Sequence, residues 1–454
     1  MAVSAATPAA ERRALILVWV ASAIQAAIFF GLGYVRYAAH RALVDTGLFT
    51  QTIASAFSGF SNTFEGGSHW AFHFSPILYL CAPLLLFTHS ALTLTAIQAV
   101  AVALTAPPAY LLARRRTSLR RALALAAVVL IYPPLAGVEF ADFHENAFVP
   151  ATTMWLLWAI DNRRWPFAYA FLALALAIKE DQALILGFGA LVALVVFFRR
   201  DDRAGVAFAM TALCASVLVF VGYFACIRPL TDLARPWQPT RFFAWTPADL
   251  VNPAAMLSDR LGYVALALVP LAFIPLRSPL IVLALPGFAE CVLSREHATY
   301  TMGQHYAAVW IPYVLAAFVA AAAKLRSPAP IRFCMLLCVL NYVVANPLHP
   351  GDFLAIPGAR DARLDAFLAR LPADMSVGTQ EEAYTHLGFD PNAQIGLAGE
   401  PDYVLVDRDF PRSIQLVAME PELAREIAAG TYTLEERDGG IELYRRTLST
   451  AAKS

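Results

Sequence analysis

The sequence predicts an all-α polytopic transmembrane helix bundle of about eleven spans, followed by a small extracytoplasmic α/β domain. Three observations predict it. Of the 454 residues, 59% are hydrophobic and only 15% charged, with a mean hydropathy of +0.57. A soluble chain carries about a quarter charged residues. Charge is also sorted along the chain. Arginines and a lysine fall in one set of short loops: Arg114–Arg116, Arg163–Arg164, Arg199–Arg200 and Lys324–Arg326. Acids and histidines fall in the alternate set: Asp45, His69 and His73, then Asp142, His144 and Glu145, then Glu180 and Asp181, then Glu296 and His297. A chain weaving through a membrane leaves its positive loops in the cytoplasm. Thirdly, composition returns to ordinary polarity after Ala345.

Each span follows from an apolar run bounded by polar residues. Arg12 and Arg13 precede Ala14–Tyr34, which is long for a signal-peptide core and is read as a retained first span with the N-terminus inside. Further spans are expected at Ala91–Leu112, Ala122–Gly137, Ala147–Ile160, Pro166–Ile178, Gln182–Phe198 and Ala204–Cys226. The last four are Leu261–Leu276, Pro279–Leu293, Tyr306–Ala323 and Ile331–Ala345. Phe74–Phe87 is apolar too, but holds Pro76 and Pro83. Were it to cross, the five arginines of Arg114–Arg121 would lie outside, so it is read as interfacial or re-entrant.

Residues 1–345 thus form the membrane domain and 346–454 an extracytoplasmic domain. In the latter, Met375–Thr379 and Tyr403–Val406 read as strands, and Leu364–Leu371 and Pro421–Ala429 as helices. Thr431–Glu436 and Ile441–Arg446 flank Asp438-Gly439-Gly440, a hairpin signal. The six cysteines all lie in apolar segments, which supports neither a disulfide framework nor zinc spacing. A net charge of zero argues against nucleic acid, which calls for a basic patch. There is no internal repeat to support an inverted-repeat transporter.

The alternate loops carry the chemistry-capable residues. Asp45, just past the first span, suits a general base once partly buried, and equally suits a helix N-cap. His69 and His73 stand four apart and could share a helix face toward a metal or phosphate, or sit as interfacial residues beside Trp70. Asp142, His144 and Glu145 offer three metal ligands within four residues, an oxygen-rich set for magnesium or manganese that the imidazole tilts toward manganese or zinc, or else a solvated turn. Lys179-Glu180-Asp181 joins two apolar runs without a turn residue. Charges there are costly unless paired, so either Lys179 holds a phosphate or the triplet contains an internal ion pair. Arg235, Arg241, Arg295, His297 and His305 in later loops suit phosphate binding or ordinary anchoring.

Asp45-Thr46-Gly47-Leu48-Phe49-Thr50-Gln51, His73-Phe74-Ser75-Pro76, Asp142-Phe143-His144-Glu145 and Lys179-Glu180-Asp181 resemble the motif series of a domain-of-unknown-function family of predicted bacterial and archaeal polytopic membrane proteins. That family in turn is similar to the GT-C glycosyltransferase superfamily, which includes protein mannosyltransferases and oligosaccharyltransferase catalytic subunits. The resemblance implies a GT-C-like bundle in which an acid of the first outer loop, here Asp45, is catalytic. A second acidic motif would fall at Asp142 and Glu145. It implies an inverting enzyme of the cytoplasmic membrane that transfers a sugar from a polyprenyl-phosphate donor to an envelope acceptor at the outer face. His69, His73, Lys179, Glu180, Asp181, Arg295, His297 and His305 would bind substrate, with a manganese or magnesium ion on Asp142, His144 and Glu145. The expected partners are the polyprenyl-phosphate-linked sugar and membrane lipid. A lipid or solute carrier would need polar residues along a path between the two faces, and the inner loops offer few beyond Asp161, Asp201 and Asp202. A non-catalytic scaffold would tolerate changes at Asp45 and Asp142.

Overall fold

The computed structural model describes residues 7–231, 238–247, 252–344, 354–372, 374–410 and 413–447. The expected domain boundary at 345/346 lies outside them. Contacts group the chain into two units. The first comprises Met1–Phe30, Trp70–Leu80 and Ala96–His349. The second comprises Gly31–His69, Cys81–Thr95 and Pro350–Ser454.

The first unit is a bundle of apolar helices. Among the described residues, six helices are long and apolar enough to cross a membrane: Pro8–Ala38, Leu92–Arg114, Leu119–Phe140, Glu180–Phe198, Arg203–Leu230 and Pro253–Leu271. Apolar helices at Trp165–Leu176, Pro279–Val292, Ile311–Ala322 and Ala329–Val343 are shorter, so the count of eleven is not reached by length alone. Proline is one reason. The expected span Leu261–Leu276 breaks after Leu268 into two 3-10 turns that hold Pro270 and Pro275. Ala272 and Phe273 between them take the left-handed region, with φ of 49° and 55°.

Helices Glu180–Phe198 and Arg203–Gly222 form an antiparallel pair packed on Trp165–Leu176. Ala168, Ala175, Ala183, Ala190 and Ala212 line their contact with Leu172, Leu186 and Phe208. Small residues let apolar helices approach where lipid gives no hydrophobic drive to associate. Leu184, Leu191, Val195, Phe198, Val217 and Leu218 of the same pair face outward, as a lipid-facing surface requires. Helix Ile311–Ala322 is apolar all round and almost wholly buried.

The charge-sorted loops behave as two sets. Arg114 bonds Glu11 at 2.8 Å, and Arg116 pairs with Asp161. Arg121 donates to the Leu325 carbonyl at 2.8 Å, and Arg163 pairs with Asp202 at 2.7 Å. The arginine-bearing loops therefore hold one another at one end of the unit. The acid- and histidine-bearing loops meet elsewhere, as described below.

The second unit is built on a mixed sheet. A two-residue ladder, β1 (Ser61–Asn62) with β2 (Gly67–Ser68), stands apart from it. The main sheet holds β3 (Val377–Thr379), β4 (Ala393–Ile395), β5 (Tyr403–Asp407), β6 (Tyr432–Asp438) and β7 (Ile441–Arg446), in the order β4-β3-β5-β7-β6. β3 runs parallel to β4 and β5, while the β6–β7 hairpin is antiparallel and pairs through β7 with β5. Side chains alternate across a strand, so Tyr403 and Leu405 face helix Ala359–Leu368 through Leu364 and Phe367. Val404 and Val406 face helix Ile414–Ala428 through Leu416, Met419 and Leu423. That helix begins seven residues before the expected Pro421.

Residues 31–69 pack into this same unit. Gln51, on helix Val44–Ala54, donates to the carbonyls of Asp390 at 2.7 Å and Ala393 at 3.2 Å. Its amide oxygen accepts from Tyr384 Oη at 2.9 Å and from Thr63 N at 2.7 Å. Gly47 lies one turn earlier, where a Cβ would sit 2.7 Å from the Tyr384 ring. Gly47→Val is therefore expected to lower the thermal midpoint, at a cost of roughly 1–3 kcal/mol for overpacking. In a Tyr384→Ala background, itself destabilised by loss of a buried ring, the added cost of Gly47→Val should be smaller than in wild type, since the nearest clash is with that ring. Equal stability of wild type and Gly47→Val in a thermal melt would refute this packing.

Candidate functional site

The loop after helix Pro133–Phe140 is fixed from within. Gln98 donates to the carbonyls of Glu139 at 2.6 Å and Asp142 at 2.8 Å, and its oxygen accepts from His144 N at 2.9 Å. Asp142 takes φ 68°, a left-handed conformation tolerated by Asp, which turns the chain back into the 3-10 turn Glu145–Phe148. The side chain of Glu145 is thereby carried into full burial. Lys179 Nζ stands 3.4 Å from Glu145 Oε1, and His144 Nδ1 stands 3.1 Å from Glu145 Oε2. The triplet at 179–181 therefore contains no internal ion pair between Lys179 and Glu180; Lys179 pairs across to Glu145.

Glu180, the first residue of its helix, turns the other way. Its Oε1 lies 2.9 Å from His73 Nδ1, and its Oε2 accepts from Phe74 N at 2.9 Å. One carboxylate thus clamps both the ring and the backbone of the 73–76 motif. Asp181 accepts from Gln182 at 3.0 Å, and Glu290 lines the same cavity. His305 stacks on His144 with ring centroids 3.6 Å apart. Burial first, then the charges of Lys179 and His73, push the pKa of His305 well below its ordinary value, so its ring is neutral.

These groups border a cavity of about 580 Å³. Its polar wall holds His73, His144, Lys179, Glu180, Asp181, Arg241 and Glu290. Its apolar wall holds Leu184, Ile185, Phe220, Phe224, Phe242 and Phe243. The arrangement is a largely apolar pocket with a few convergent charges, the general form of a small-molecule or lipid-head site. A buried ammonium beside an apolar wall suits an anion on a hydrophobic tail.

The structure brings together His73, Glu145, His144, Lys179, Glu180, Asp181 and His305 of the expected set, with Asp142 held beside them through Gln98. Arg295 and His297 do not line the cavity. Arg295 donates to the Ala244 carbonyl at 3.2 Å, and His297 Nδ1 lies 3.0 Å from Thr301 Oγ1. Asp45 and His69 belong to the second unit. Asp45 is half-buried in the first turn of helix Val44–Ala54. His69 is buried, 2.9 Å from Glu65 through Nδ1, with the Phe49 and Phe60 rings edge-on. His69 and His73 share no helix face, because 69–71 is a single 3-10 turn and His73 lies beyond it. Arg235 lies outside the described residues. Sequence reasoning overlooked Glu290 and Gln98. The signal for Glu290 was present: an acid inside an apolar run is costly and so marks a site.

The family model described as "Predicted membrane protein (DUF2079)" matches residues 41–361. No curated protein matches the sequence. Among solved structures, ArnT from Cupriavidus metallidurans, bound to undecaprenyl phosphate, superposes with a TM-score of 0.59 at 13% identity, over 96% of this chain and 99% of that one. The oligosaccharyltransferase of Archaeoglobus fulgidus, tethered to an acceptor peptide, matches at 13% identity with a TM-score of 0.39, over 86% of this chain and 69% of that one. The ArnT likeness shows that the two chains share a fold.

The Glu145–Lys179 pair gives a prediction about stability. Glu145→Gln strands a buried ammonium, and breaking a buried pair costs about 3–5 kcal/mol. A melt in detergent should show a large fall in midpoint for Glu145→Gln, and a smaller one for Glu145→Gln with Lys179→Met. Equal falls would mean that the pair is not a unit.

Proposed function

The chain belongs to the DUF2079 family of predicted membrane proteins, and we propose that it is a membrane glycosyltransferase. It transfers a sugar from a polyprenyl-phosphate donor to an envelope acceptor at the outer face of the cytoplasmic membrane. The observation that carries this reading is the cavity in which Lys179 faces an aromatic and aliphatic wall. Such a wall suits an isoprenoid chain, and the lysine suits its phosphate. The shared fold with ArnT, a protein bound to undecaprenyl phosphate, supports the same substrate class.

In this mechanism the acceptor hydroxyl oxygen attacks the anomeric carbon while Asp45 takes its proton. The bond from that carbon to the phosphate oxygen breaks, and the configuration inverts. The polyprenyl phosphate leaves with its charge stabilised by Lys179, an electrostatic contribution strongest in a water-poor site. His73 and Glu180 position the loop at the cavity rim, and His144, stacked on His305, flanks the phosphate. Asp181, Arg295 and His297 are proposed contacts to the donor or acceptor, and His69 is retained with them as a substrate-binding proposal.

A divalent ion, manganese or magnesium, belongs to the proposal through the donor chemistry of Asp142, His144 and Glu145 alone, since these three are not among the described residues that bring one ligand atom each within 4.8 Å of one another. When bound it would supply Lewis-acid stabilisation of the leaving phosphate. Glu145 is also the counter-ion of Lys179, so ion and lysine compete for it, and no step above depends on the ion. Chelation reads this directly. Activity lost to EDTA and restored by manganese supports the ion, whereas unchanged activity assigns the phosphate to Lys179 alone.

The main test uses purified protein in nanodiscs with a panel of radiolabelled polyprenyl-phosphate sugars. Wild type should consume a donor, and Asp45→Asn and Lys179→Met should each lose about 10²–10³-fold in turnover. Full turnover by Asp45→Asn removes that residue as base. If wild type consumes no donor with acceptor-containing membrane extract present, the transferase reading fails.

A further inference from the structure

We propose that His40, Asp365 and His386 form a site for a divalent transition-metal ion in the second unit, separate from the cavity and from the transferase reading. The three come from different elements: the turn after helix Pro8–Ala38, helix Ala359–Leu368, and the 3-10 turn Thr385–Leu387. One ligand atom from each lies within 4.8 Å of the other two. Two imidazoles and a carboxylate, with water completing the shell, are a ligand set of zinc and of ferrous iron.

Two observations point beyond a chance cluster. The first concerns His386. Its Nε2 lies 3.1 Å from the Tyr37 carbonyl, which can only accept, so Nε2 carries the proton. Nδ1 is then left with its lone pair. A ring nitrogen bonded to a backbone carbonyl is how proteins fix a metal-ligating histidine. Stacking on Tyr37 at 4.0 Å and on His40 at 3.9 Å holds the ring in place.

The second concerns His40, which is 0% exposed. Its Nε2 lies 2.9 Å from Asp365 Oδ1, while its buried Nδ1 makes no hydrogen bond of good geometry and the ring's other contact is with the Glu382 backbone. A neutral imidazole has one proton for two nitrogens. If Nε2 holds it, a buried lone pair is left unsatisfied at Nδ1. If Nδ1 holds it, a lone pair at Nε2 faces a carboxylate. A cation between Nε2 and Asp365 removes the second conflict and leaves Nδ1 its proton.

Local charge fits a dication. Arg360 is a nearby positive group, and it is already committed to Asp407 at 2.7 Å through Nε and to Asp361 at 2.8 Å. Asp361, Asp365 and Asp407 together outweigh Arg360 and Arg41, which both stack on Phe410. The Asp365 side chain is 62% exposed, which gives the ion a route from solvent. Bound there, the ion would tie the end of the first helix to a helix 325 residues further along the chain.

The test is zinc binding by the full chain in nanodiscs, purified on a histidine-free tag and stripped with chelator. Titration against a chromophoric zinc competitor, with metal analysis after gel filtration, should find a zinc ion whose affinity falls at least 100-fold in His386→Ala and in Asp365→Asn. Asp365 is exposed, so its asparagine variant keeps the fold, which a melt verifies. His89→Ala, at a histidine outside both sites that stacks on Phe389, should leave that affinity unchanged. Zinc should raise the wild-type melting temperature and leave that of Asp365→Asn unmoved. No retained zinc in wild type, or wild-type affinity in both His386→Ala and Asp365→Asn, would overturn the proposal.

Discussion

A buried ammonium in an apolar bundle must have a counter-ion, and the pairing of Lys179 with Glu145 is the constraint around which the first unit is arranged. Neither side chain can be desolvated alone without a cost of several kcal/mol. The loop carrying Glu145 and the helix start carrying Lys179 must therefore meet. Gln98 makes this possible by satisfying two loop carbonyls and one loop N–H. A loop of eight residues at that depth would otherwise leave its backbone groups unpaired. The apolar packing of Glu180–Phe198 against Arg203–Gly222 then supplies a rigid frame on which the pair is held.

In the second unit a different economy holds. The stretch Asp45–Gln51 carries a resemblance to catalytic loops, yet Thr46 through Ile53 are buried, and Gln51 and Gly47 have packing duties against the sheet domain. A motif can recur because its residues build an interface, because one of them does chemistry, or for both reasons. Here the buried residues dock the helix, and Asp45 stands half-buried at its first turn.

Much of this was legible in the sequence. Hydropathy located most of the apolar helices, and the alternation of arginine loops with acid loops foresaw two separate polar clusters. The strands at 377–379 and 403–407 and the hairpin at 432–446 followed from alternation and from Asp438-Gly439-Gly440. What escaped was long-range. Nothing local in residues 31–69 states that they pack with a domain more than 300 residues later through Gln51 and Asp390. Nor does hydropathy separate a straight span from one broken at Ala272 and Phe273, since both are equally apolar. The contact of His69 with Glu65, four residues before it, arises in a segment that is not helical and so escapes a periodicity reading.

The cavity also shows why counting acids in a loop is a weak guide to metal binding. Glu145, Glu180, Asp181 and Glu290 all reach one region, which on composition alone invites a cation. Their partners say otherwise for most of them. Glu145 faces Lys179, Glu180 grips His73 and Phe74 N, and Asp181 accepts from Gln182. An acid already bonded to a fixed donor gains less from an ion than one with a bare oxygen, because the ion must replace that bond as well as its own water. Such a wall keeps its acids partnered and its cations too, with Lys179 held against Glu145 and Arg241 against Glu296. A phosphate arriving on an apolar tail would meet positive charge against a background already balanced.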